Sequence, residues 1–448
     1  MLLQSDIPSH LFPGIPEARA AKVFAVASQL EWSSRLPPGQ LATLQYQQLH
    51  SLFIHAERQS KFWRQRLRAA GFDPKAKAFD INLLQRLPPL KREDMQTAFE
   101  DMRAYPAPAK WGDVSTFQTS GSTGKWVRVE KPEINSILFD AITFTDHLWG
   151  RRDFSGKLAV IRKEVGKGRG GPYWSRETFN LVSTGPRVQF NPVGKDIAEA
   201  LAWLETERPA YVTTWPSIAR QLAYLKLQRG GAPLQIKQFL TFGEMVTDEL
   251  RDVLGRAFGA TLSDRYSTEE CGYIALQCGH GNRYHAVPMA IVEIVDDQYR
   301  PVKPGVTGRV LVTLPHSVVM PLIRYDVGDY AVAGAKCTCG RTWPVIERIM
   351  GRERSIVQFP DGTRQFVPID GLDWTDIAPI RQWQFRQTGL DRIELIVAPA
   401  RPLTDMERGR LADEAKALFR NAFAIKLQEV AAIDALPSGK RPEFVREI

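Results

Sequence analysis

Between residues 114 and 330, short apolar runs alternate with longer segments of mixed polar and apolar residues. The apolar runs predict strands at 114–117, 158–162, 210–214, 236–242, 290–295 and 309–314. The longer segments predict helices at 196–207, 218–229 and 248–258. This alternation is typical of α/β proteins, in which helices cover a mostly buried sheet. The pattern therefore predicts an α/β fold for this part of the chain.

The part of the chain before this region is predicted to be helical. Apolar positions near a period of 3.6 residues predict one long helix over 39–70. Gly71 follows this segment and suits the left-handed position that ends many helices. Pro88 and Pro89 then break the chain before another predicted helix at Lys91–Asp94.

The pattern changes again after residue 351. Two short strands around the turn Pro360-Asp361-Gly362 predict a hairpin. A strand at 392–398 and a helix at 404–423 follow it. We therefore expect two domains, a large one over 1–350 and a small α+β domain over 351–448.

The composition is that of a globular protein, with 44% hydrophobic and 24% charged residues. A length of 448 residues exceeds one ordinary core and suggests two or three domains. No apolar run approaches the roughly 18 residues that a membrane-spanning helix needs, and no segment near Met1 resembles a signal peptide. The four cysteines are too few for a disulfide framework. We therefore expect a cytoplasmic protein without a membrane partner.

The formal net charge of +9 points to an anionic partner. Lysine and arginine mostly alternate with acidic residues, and only the Gly-rich segment 163–171 concentrates them. A nucleic-acid partner would favour a basic block, whereas a dispersed basic surface also suits a nucleotide or coenzyme A. We expect a polyanionic small molecule and no nucleic acid. The sequence carries no signal for an oligomeric state, so a homodimer stays open.

A loop rich in glycine and hydroxyl side chains follows the first predicted strand. It consists of Thr119, Ser120, Gly121, Ser122, Thr123, Gly124 and Lys125. The glycines let a bulky anion approach the backbone, hydroxyls and amides can donate hydrogen bonds to phosphate oxygens, and the lysine adds a charge. The spacing is not that of a Walker A loop. A polar surface turn is the alternative, and the other charged clusters weigh against it.

Four further charged residues lie at predicted turns or junctions. Glu269 ends a turn and offers a ligand for Mg²⁺, and the Asp329 carboxylate can accept hydrogen bonds from two ribose hydroxyls. Arg352 lies at the predicted domain junction, and Lys440 follows a glycine near the C-terminus. Three of them also have a simpler interpretation: Glu269 as a surface acid, Asp329 as an ion-pair partner of Arg324, and Lys440 as a solvated lysine.

In this order, the clusters resemble the adenylate-forming superfamily of acyl-CoA synthetases, peptide-synthetase adenylation domains and luciferases. The chain is most similar to the phenylacetate–CoA ligase branch, because Leu87–Asp94, Phe242–Glu244 and Pro321–Tyr325 resemble motifs of that branch. The likeness runs from about residue 40 to residue 445. It implies an α/β fold, with a large multi-sheet N-terminal domain and a small mobile α+β C-terminal domain.

The resemblance implies a nucleotide site. The loop Thr119–Lys125 would hold the β- and γ-phosphates of ATP, and Asp329 would bind the ribose, assisted by Arg352. The residues expected to border the adenine and its adjoining turn are Gly243, Glu244, Tyr266, Ser267 and Thr268.

The resemblance also implies three catalytic residues. Thr123 and Glu269 would help to hold Mg²⁺. Lys440 would bridge the substrate carboxylate and the α-phosphate during adenylation. A long cationic side chain suits this role, since charge accumulates on the phosphate in the transition state.

The cysteine and histidine spacing indicates a second kind of site. Cys278 and His285 are followed by Cys337-Thr338-Cys339. Three thiolates and one imidazole match a closed, structural zinc site. Cys271 and His280 are alternative ligands, and reduced cysteines beside a polar histidine are the alternative without metal. The resemblance favours structural Zn²⁺, because some members of the branch carry it.

His147 falls where the resembled superfamily lines its acyl pocket with a histidine and an aromatic residue. A hydrogen-bonded helix histidine is the alternative interpretation. Trp149, Phe139 and Trp215 are candidates for an apolar wall, although most aromatic residues pack in cores.

These candidate site residues and the family resemblance together predict an ATP-dependent ligase. It would convert a carboxylic acid, aromatic by default, into an acyl-adenylate with release of pyrophosphate, and then transfer the acyl group to coenzyme A. One alternative keeps adenylation but passes the acyl group to a carrier-protein thiol, an amine or another nitrogen nucleophile. A second alternative is a non-catalytic nucleotide-binding scaffold.

Overall fold

The computed structural model describes residues 3–76, 80, 82–118, 126–163, 170–175, 180–232, 234–367, 369, 374–434 and 443–448. The helices in these ranges are α1 (Ala18–Ser33), α2 (Pro38–Gln59), α3 (Lys61–Ala69), α4 (Asn82–Arg86), α5 (Arg92–Thr97), α6 (Phe99–Met102), α7 (Glu133–Trp149), α8 (Ile197–Glu207), α9 (Pro216–Arg229), α10 (Asp248–Phe258), α11 (Trp374–Ile377) and α12 (Asp405–Leu418). The predicted phosphate loop, Thr119–Lys125, and the predicted catalytic Lys440 lie outside the described residues.

The strands in these ranges are β1 (Val114–Gln118), β2 (Arg128–Pro132), β3 (Leu158–Ile161), β4 (Gly170–Gly171), β5 (Arg187–Phe190), β6 (Tyr211–Thr214), β7 (Gln238–Phe242), β8 (Thr261–Thr268), β9 (Gly272–Gln277), β10 (Tyr284–Ala286), β11 (Ile291–Val295), β12 (Thr307–Thr313), β13 (Tyr325–Ala333), β14 (Val345–Arg352), β15 (Val357–Gln358), β16 (Arg364–Gln365), β17 (Ile380–Gln387), β18 (Arg392–Pro399), β19 (Ala424–Glu429) and β20 (Phe444–Arg446).

The chain forms two compact units. The first comprises 1–155, 172–185 and 263–349, and the second comprises 156–171, 186–262 and 350–448. One unit boundary, between Ile349 and Met350, lies beside the predicted domain boundary. The division into a large domain, 1–350, and a small domain, 351–448, stays a prediction.

The first unit contains the N-terminal helices. The long helix predicted over 39–70 is wrong in one respect, because it is two helices, α2 and α3, separated at Ser60. Ser60 has an extended backbone, and its hydroxyl accepts a hydrogen bond from the Trp63 amide at 3.2 Å. This cap starts a new helix, and the fully buried Trp63 indole then donates to the Pro321 carbonyl at 3.0 Å. Tertiary packing therefore overrides the continuous apolar period.

The strands of the first unit follow the order β11–β12–β13–β14–β10–β9–β8. Strands β11 and β12 are antiparallel, as are β12 and β13, and β10 is antiparallel to both β9 and β14. A separate hairpin pairs β1 with β2 in antiparallel register, from Val114 opposite Pro132 to Gln118 opposite Arg128. The predicted strand at 114–117 is therefore confirmed.

Arg324 connects two of the segments that resemble family motifs, Leu87–Asp94 and Pro321–Tyr325, through hydrogen bonds. Its side chain is 1% exposed, its φ is 49°, and its guanidinium donates to the Leu87 carbonyl at 2.6 Å and to Glu293 at 3.1 Å. The Leu90 amide in turn donates to the Arg324 carbonyl at 2.9 Å. Glu293, rather than Asp329, is thus an ion-pair partner of Arg324, which corrects the structural alternative considered for these residues.

The second unit begins with a mostly parallel sheet of order β7–β6–β3–β5–β4. Strands β7, β6, β3 and β5 run parallel, and the short β4 is antiparallel to β5. The predicted helices of this region are confirmed as α8, α9 and α10. Asp196 caps α8 and Thr247 caps α10, because each side chain accepts a hydrogen bond from an amide in the first turn.

Residues 350–448 add a four-stranded sheet of order β19–β18–β17–β20. Strand β17 is antiparallel to β18 and parallel to β20, and β18 is parallel to β19. The predicted hairpin is confirmed as β15 and β16. The predicted helix over 404–423 is the shorter α12, which begins after the capping box formed by Thr404 and Glu407.

The predicted α/β fold class, with a smaller α+β part at the C-terminus, is confirmed. Among the described residues, no helix combines the length and the apolar character that a membrane crossing requires.

Candidate nucleotide and metal sites

Tyr266 and Asp329 form a buried hydrogen-bonded pair in the first unit. The Tyr266 hydroxyl donates to Asp329 Oδ2 at 2.9 Å, and the two residues are only 7% and 6% exposed. Tyr266 lies in β8, where the pairing with β9 shifts register between Tyr266 and Ser267. Asp329 lies in β13, directly after Gly328, whose φ of 75° bends the strand. Two residues predicted separately as adenine and ribose contacts are therefore adjacent.

The turn after β8 presents two neighbouring glutamates in different environments. Glu269, the predicted Mg²⁺ ligand, is exposed. Glu270 is buried, where its carboxylate accepts from Arg92 at 2.9 Å and from the Tyr325 hydroxyl at 3.3 Å. An accessible carboxylate suits Mg²⁺, which keeps several of its waters. The residues present thus fit a Mg²⁺ ligand at Glu269 and a structural role at Glu270.

Lys131 fixes the backbone of this turn. Its ammonium donates to the Glu269 carbonyl at 2.7 Å, and burial lowers the pKa of this lysine. Lys131 lies in β2, on the hairpin whose two strands flank the predicted phosphate loop. The sequence analysis missed this residue, because a lone lysine in a strand carries no local signal for its partner.

Ser267 and Thr268 follow Tyr266 in β8, whereas Gly243 and Glu244 lie in the second unit. Gly243 follows β7 with a φ of 76°, a backbone conformation that favours glycine. Glu244 Oε2 accepts a hydrogen bond at 2.9 Å from the Ser217 amide in the first turn of α9. A carboxylate at this position stabilises the helix, because it complements the unpaired amides of the first turn. Arg352 ends β14 and is exposed.

The cysteine and histidine residues predicted to bind zinc come together. Ligand atoms of Cys278, His285, Cys337 and Cys339 all lie within 4.8 Å of one another. Cys278, His285 and Cys337 are buried, and Cys339 is partly exposed. Tetrahedral zinc holds sulfur at about 2.3 Å and nitrogen at about 2.0 Å, and four ligand atoms this close fit such a centre. The alternative ligand His280 is not needed to complete the set.

Neighbouring groups orient the four side chains for a metal. His285 Nδ1 lies 3.2 Å from the Trp343 carbonyl, so Nδ1 carries the proton and the Nε2 lone pair faces Cys339 Sγ at 3.3 Å. The amides of His280 and Arg341 donate to the sulfurs of Cys278 and Cys339, each at 3.4 Å. Amide donors stabilise thiolates, and a carbonyl on the far ring nitrogen is the usual support for a metal-binding histidine. The donor set therefore fits structural Zn²⁺.

The chain is similar in sequence and in fold to known coenzyme A ligases. No family model matches the chain. It is 24% identical over 452 residues to the phenylacetate-coenzyme A ligase of Thermus thermophilus, and the alignment covers 91% of this chain and 95% of that protein. The structure of 2-hydroxyisobutyryl-CoA ligase in the postadenylation state, in complex with R3-HIB-AMP, has a TM-score of 0.72 at 19% identity and covers 93% of this chain and 91% of that one. These likenesses agree with the resemblance of the chain to the adenylate-forming superfamily.

A more distant structural likeness agrees with the same fold. An anthranilate CoA ligase in complex with anthranoyl-AMP gives a TM-score of 0.53 at 13% identity, covering 74% of this chain and 66% of that one. At such identities the structural likeness establishes the fold. The roles of individual residues depend on the local geometry of this protein.

One further cluster of charged residues surrounds His147 on α7. Asp146 is buried between two guanidinium groups, with Arg152 Nη1 at 2.7 Å and Arg265 Nε at 2.8 Å. Burial alone would raise the pKa of Asp146, but the charges of Arg152 and Arg265 hold it well below its ordinary value. The sequence analysis missed this ionic cluster, although the polar pair Asp146 and His147 in an otherwise apolar helix segment could have indicated it.

The same cluster determines the state of His147. Arg152 Nη1 lies 3.2 Å from His147 Nδ1, and because arginine can only donate, Nδ1 accepts and the proton is on Nε2. Burial and the charges of Arg152 and Arg265 lower the pKa of His147 well below its ordinary value. Aromatic rings surround the imidazole, with Trp174 at 5.1 Å and Phe154 at 5.9 Å between ring centroids. His147 is thus a neutral donor in an aromatic environment.

The aromatic residues considered as candidates for an apolar pocket wall have different packing partners. The ring centroid of Trp149 lies 4.9 Å from that of Trp343 and 5.9 Å from that of His285. Trp149 therefore packs against the cysteine and histidine cluster. Phe139 is 45% exposed and lies against Tyr273 at 4.7 Å. Trp215 is buried in the second unit. The role of these three residues as candidates for an apolar wall stays a prediction, and the packing partners of Trp149 lie at the cysteine cluster.

Proposed function

We propose that this protein is an ATP-dependent acid–CoA ligase. A carboxylate oxygen of the substrate attacks the α-phosphorus of ATP, and pyrophosphate leaves with the electron pair of the broken P–O bond. The coenzyme A sulfur then attacks the acyl carbon, and AMP leaves in the same way. The Tyr266–Asp329 pair carries the proposal, because it brings two predicted nucleotide contacts together in a fold shared with ligases that bind acyl-adenylates.

The nucleotide is held by groups suited to each of its parts. Asp329 accepts from the ribose hydroxyls, with Tyr266 fixing the carboxylate and Arg352 assisting. Gly243 and Glu244 border the adenine together with Tyr266. Glu269 would hold Mg²⁺, and the ion would supply positive charge beside the phosphates.

Residues outside the described ranges complete the proposed machinery. The loop Thr119–Lys125 would hold the pyrophosphate that leaves, and Thr123 would help Glu269 to hold Mg²⁺. Lys440 bridges the carboxylate and the α-phosphate. Its charge stabilises the phosphorus in the transition state, where negative charge on the oxygens is greatest.

An aromatic acid is the proposed substrate class. The aromatic rings around His147 provide an apolar surface, and the neutral imidazole can donate a hydrogen bond from Nε2 to an acyl oxygen. The Thermus thermophilus relative is a ligase of the aromatic acid phenylacetate, which supports the same class. We place the reaction in the cytoplasm, where ATP and coenzyme A are available.

Structural Zn²⁺ is a further part of the proposal. Cys278, His285, Cys337 and Cys339 hold the ion in a closed site. The ion would supply no step of the reaction, because four protein ligands leave no open position. It would join the β9–β10 turn, which contains Cys278, to the segment before β14, which contains Cys337 and Cys339.

Carboxylate-dependent exchange of pyrophosphate into ATP tests the adenylation. With a panel of aryl, arylacetic and short aliphatic acids, we expect exchange with at least one aromatic acid, and thioester formation when coenzyme A is added. The variant Lys440→Ala should lose most of the exchange while it still binds ATP. Lys416→Ala, on the exposed face of α12, is the matched control. Absence of exchange with every acid would refute the proposal in favour of a nucleotide-binding scaffold.

A further inference from the structure

Arg220 joins three separate parts of the second unit. It lies on α9, and its side chain is only 7% exposed. Its Nε donates to Glu249 at 3.0 Å and one terminal nitrogen donates to the Thr247 hydroxyl at 3.2 Å, both at the N-terminus of α10. Its other terminal nitrogen forms an ion pair with Glu443. A planar guanidinium can reach two carboxylates in different directions, which a lysine ammonium does not reproduce.

Glu443 is held from the other side by the C-terminal sheet. Its carbonyl accepts a hydrogen bond from the Phe385 amide of β17 at 2.8 Å. The next residue, Phe444, begins β20 and is buried in the core of 350–448. Because neighbouring side chains of an extended chain point to opposite faces, Glu443 faces away from that core. The backbone at Glu443 is therefore anchored in the sheet while its carboxylate is anchored on α9.

The α9 helix also holds the predicted adenine loop. Glu244 accepts from the Ser217 amide at 2.9 Å, and Ser217 lies one turn before Arg220. Two consecutive turns of one helix thus contact both the Gly243–Glu244 loop and the chain at Glu443. The helix core is rigid, since Ile218 and Ala219 are 1% and 0% exposed.

We propose that Arg220 and Glu443 are positioning residues for the adenylation step. This inference rests on the proposed function, in which Lys440 acts on the carboxylate and the α-phosphate. Lys440 precedes Glu443 by three residues, and a chain of three residues spans at most about 10–11 Å. The Arg220–Glu443 ion pair therefore provides an anchor that is close to Lys440 along the sequence, on the helix that also contacts the predicted adenine loop.

The ion pair has an energetic feature that makes this role separable from folding. Removal of the Glu443 charge leaves Arg220 paired with Glu249, so no guanidinium is left buried without a carboxylate. The variant Glu443→Gln has the same shape and keeps a hydrogen-bond acceptor for Arg220. It should therefore fold, with a melting temperature within about 2 °C of the native protein.

The test combines this variant with two others in the full chain. Glu443→Gln removes the charge that anchors the segment. Arg220→Lys keeps the charge opposite Glu249 but loses the second arm of the fork, and it decides the question if Glu443→Gln does not fold. Glu447→Gln is the matched control, because Glu447 lies four residues further on and pairs with Arg386 at 3.2 Å on the surface.

Three quantities are measured for each protein: carboxylate-dependent pyrophosphate exchange, the KM for ATP, and thioester formation from a synthetic acyl-adenylate and coenzyme A. For Glu443→Gln and Arg220→Lys we expect kcat of exchange to fall about 10- to 100-fold, since a displacement of about 1 Å in a catalytic group has effects of this size. The KM for ATP and the thioester step should change less than about threefold, because Lys440 acts only in adenylation. Glu447→Gln should match the native protein.

The outcomes separate this inference from the proposed function. Native protein that exchanges with no acid refutes the function, and this inference with it. Active native protein with Glu443→Gln and Arg220→Lys at the native rate overturns the inference alone. A parallel loss of exchange, thioester formation and thermal stability also overturns it, because that pattern indicates a purely structural ion pair.

Discussion

Replacement of Asp329 by asparagine tests the site on which the proposed function depends. The asparagine has the shape of aspartate, and its amide oxygen can still accept the hydrogen bond that Tyr266 donates to Oδ2 at 2.9 Å. The second oxygen becomes an amide NH₂, which donates and cannot accept from a ribose hydroxyl. The substitution therefore removes the proposed ligand contact and keeps the contact within the protein.

The magnitude follows from the charge and the burial of this residue. Asp329 is 6% exposed, so water competes little for its carboxylate. A hydrogen bond to a charged group contributes about 1.5–3 kcal/mol, and each 1.4 kcal/mol is a factor of ten. We therefore expect Asp329→Asn to weaken ATP binding by about 10- to 150-fold.

The assay compares two nucleotides on two proteins. Dissociation constants for ATP and for 2′,3′-dideoxy-ATP are measured by calorimetry with native protein and with Asp329→Asn. Dideoxy-ATP lacks the hydroxyls that Asp329 would bind, so the substitution should weaken its binding less than about threefold. Asp326→Asn is the matched control, because Asp326 lies in the same strand and its partner is Arg309 at 3.2 Å.

The cycle isolates the contact between the ribose hydroxyls and the carboxylate. An equal loss of affinity for ATP and for dideoxy-ATP would refute the assignment of Asp329, since the substitution would then act through the fold. Unchanged affinity for both nucleotides would refute it as well.

Three further predictions concern groups away from the ribose contact. Cys337→Ser should lose the single equivalent of zinc found by metal analysis of untagged protein, whereas Cys271→Ser, outside the cluster, should keep it; metal-free native protein would contradict the zinc assignment. Asp146→Asn should lower the free energy of unfolding by about 3–5 kcal/mol, because two guanidinium groups stay buried, against less than about 1 kcal/mol for the more exposed pair removed in Asp140→Asn; equal urea midpoints would contradict this. The folded pKa of His147 lies below the unfolded value of 6.5, so its contribution to the free energy of unfolding is full above pH 6.5 and falls below it by at most about 1.4 kcal/mol per pH unit. The urea midpoints of His147→Gln should therefore depend less on pH between 6.5 and 5 than those of the native protein. An unchanged dependence would refute the buried neutral imidazole.

Elements with a complete local signal were predicted well. Helix α10 has the predicted bounds, because Thr247 provides a cap and Gly259 a left-handed end within one amphipathic segment. The 39–70 segment lacked such a signal at its interruption. Ser60 breaks that segment because its hydroxyl donates to the Asp101 carbonyl at 2.9 Å, a partner 41 residues away.

The metal cluster was predicted from side-chain chemistry. Four residues of suitable ligand types at Cys278, His285, Cys337 and Cys339 were sufficient to name the group, and the fold brings them within 4.8 Å. Sequence could not show how the ring of His285 is oriented, because that depends on the Trp343 carbonyl.

The sequence by itself determined the fold class, the helices α8, α9, α10 and α12, several of the strands after residue 114, and the ligand types of the metal cluster. These depend on hydrophobic periodicity, on turn residues and on chemical identity, all of which are local. Tertiary structure alone decided which polar and charged side chains pair: Tyr266 with Asp329, Arg265 with Asp146, and Arg220 with Glu443. A buried charge is stable only beside a partner, and the fold, through long-range packing, determines which distant residue is that partner.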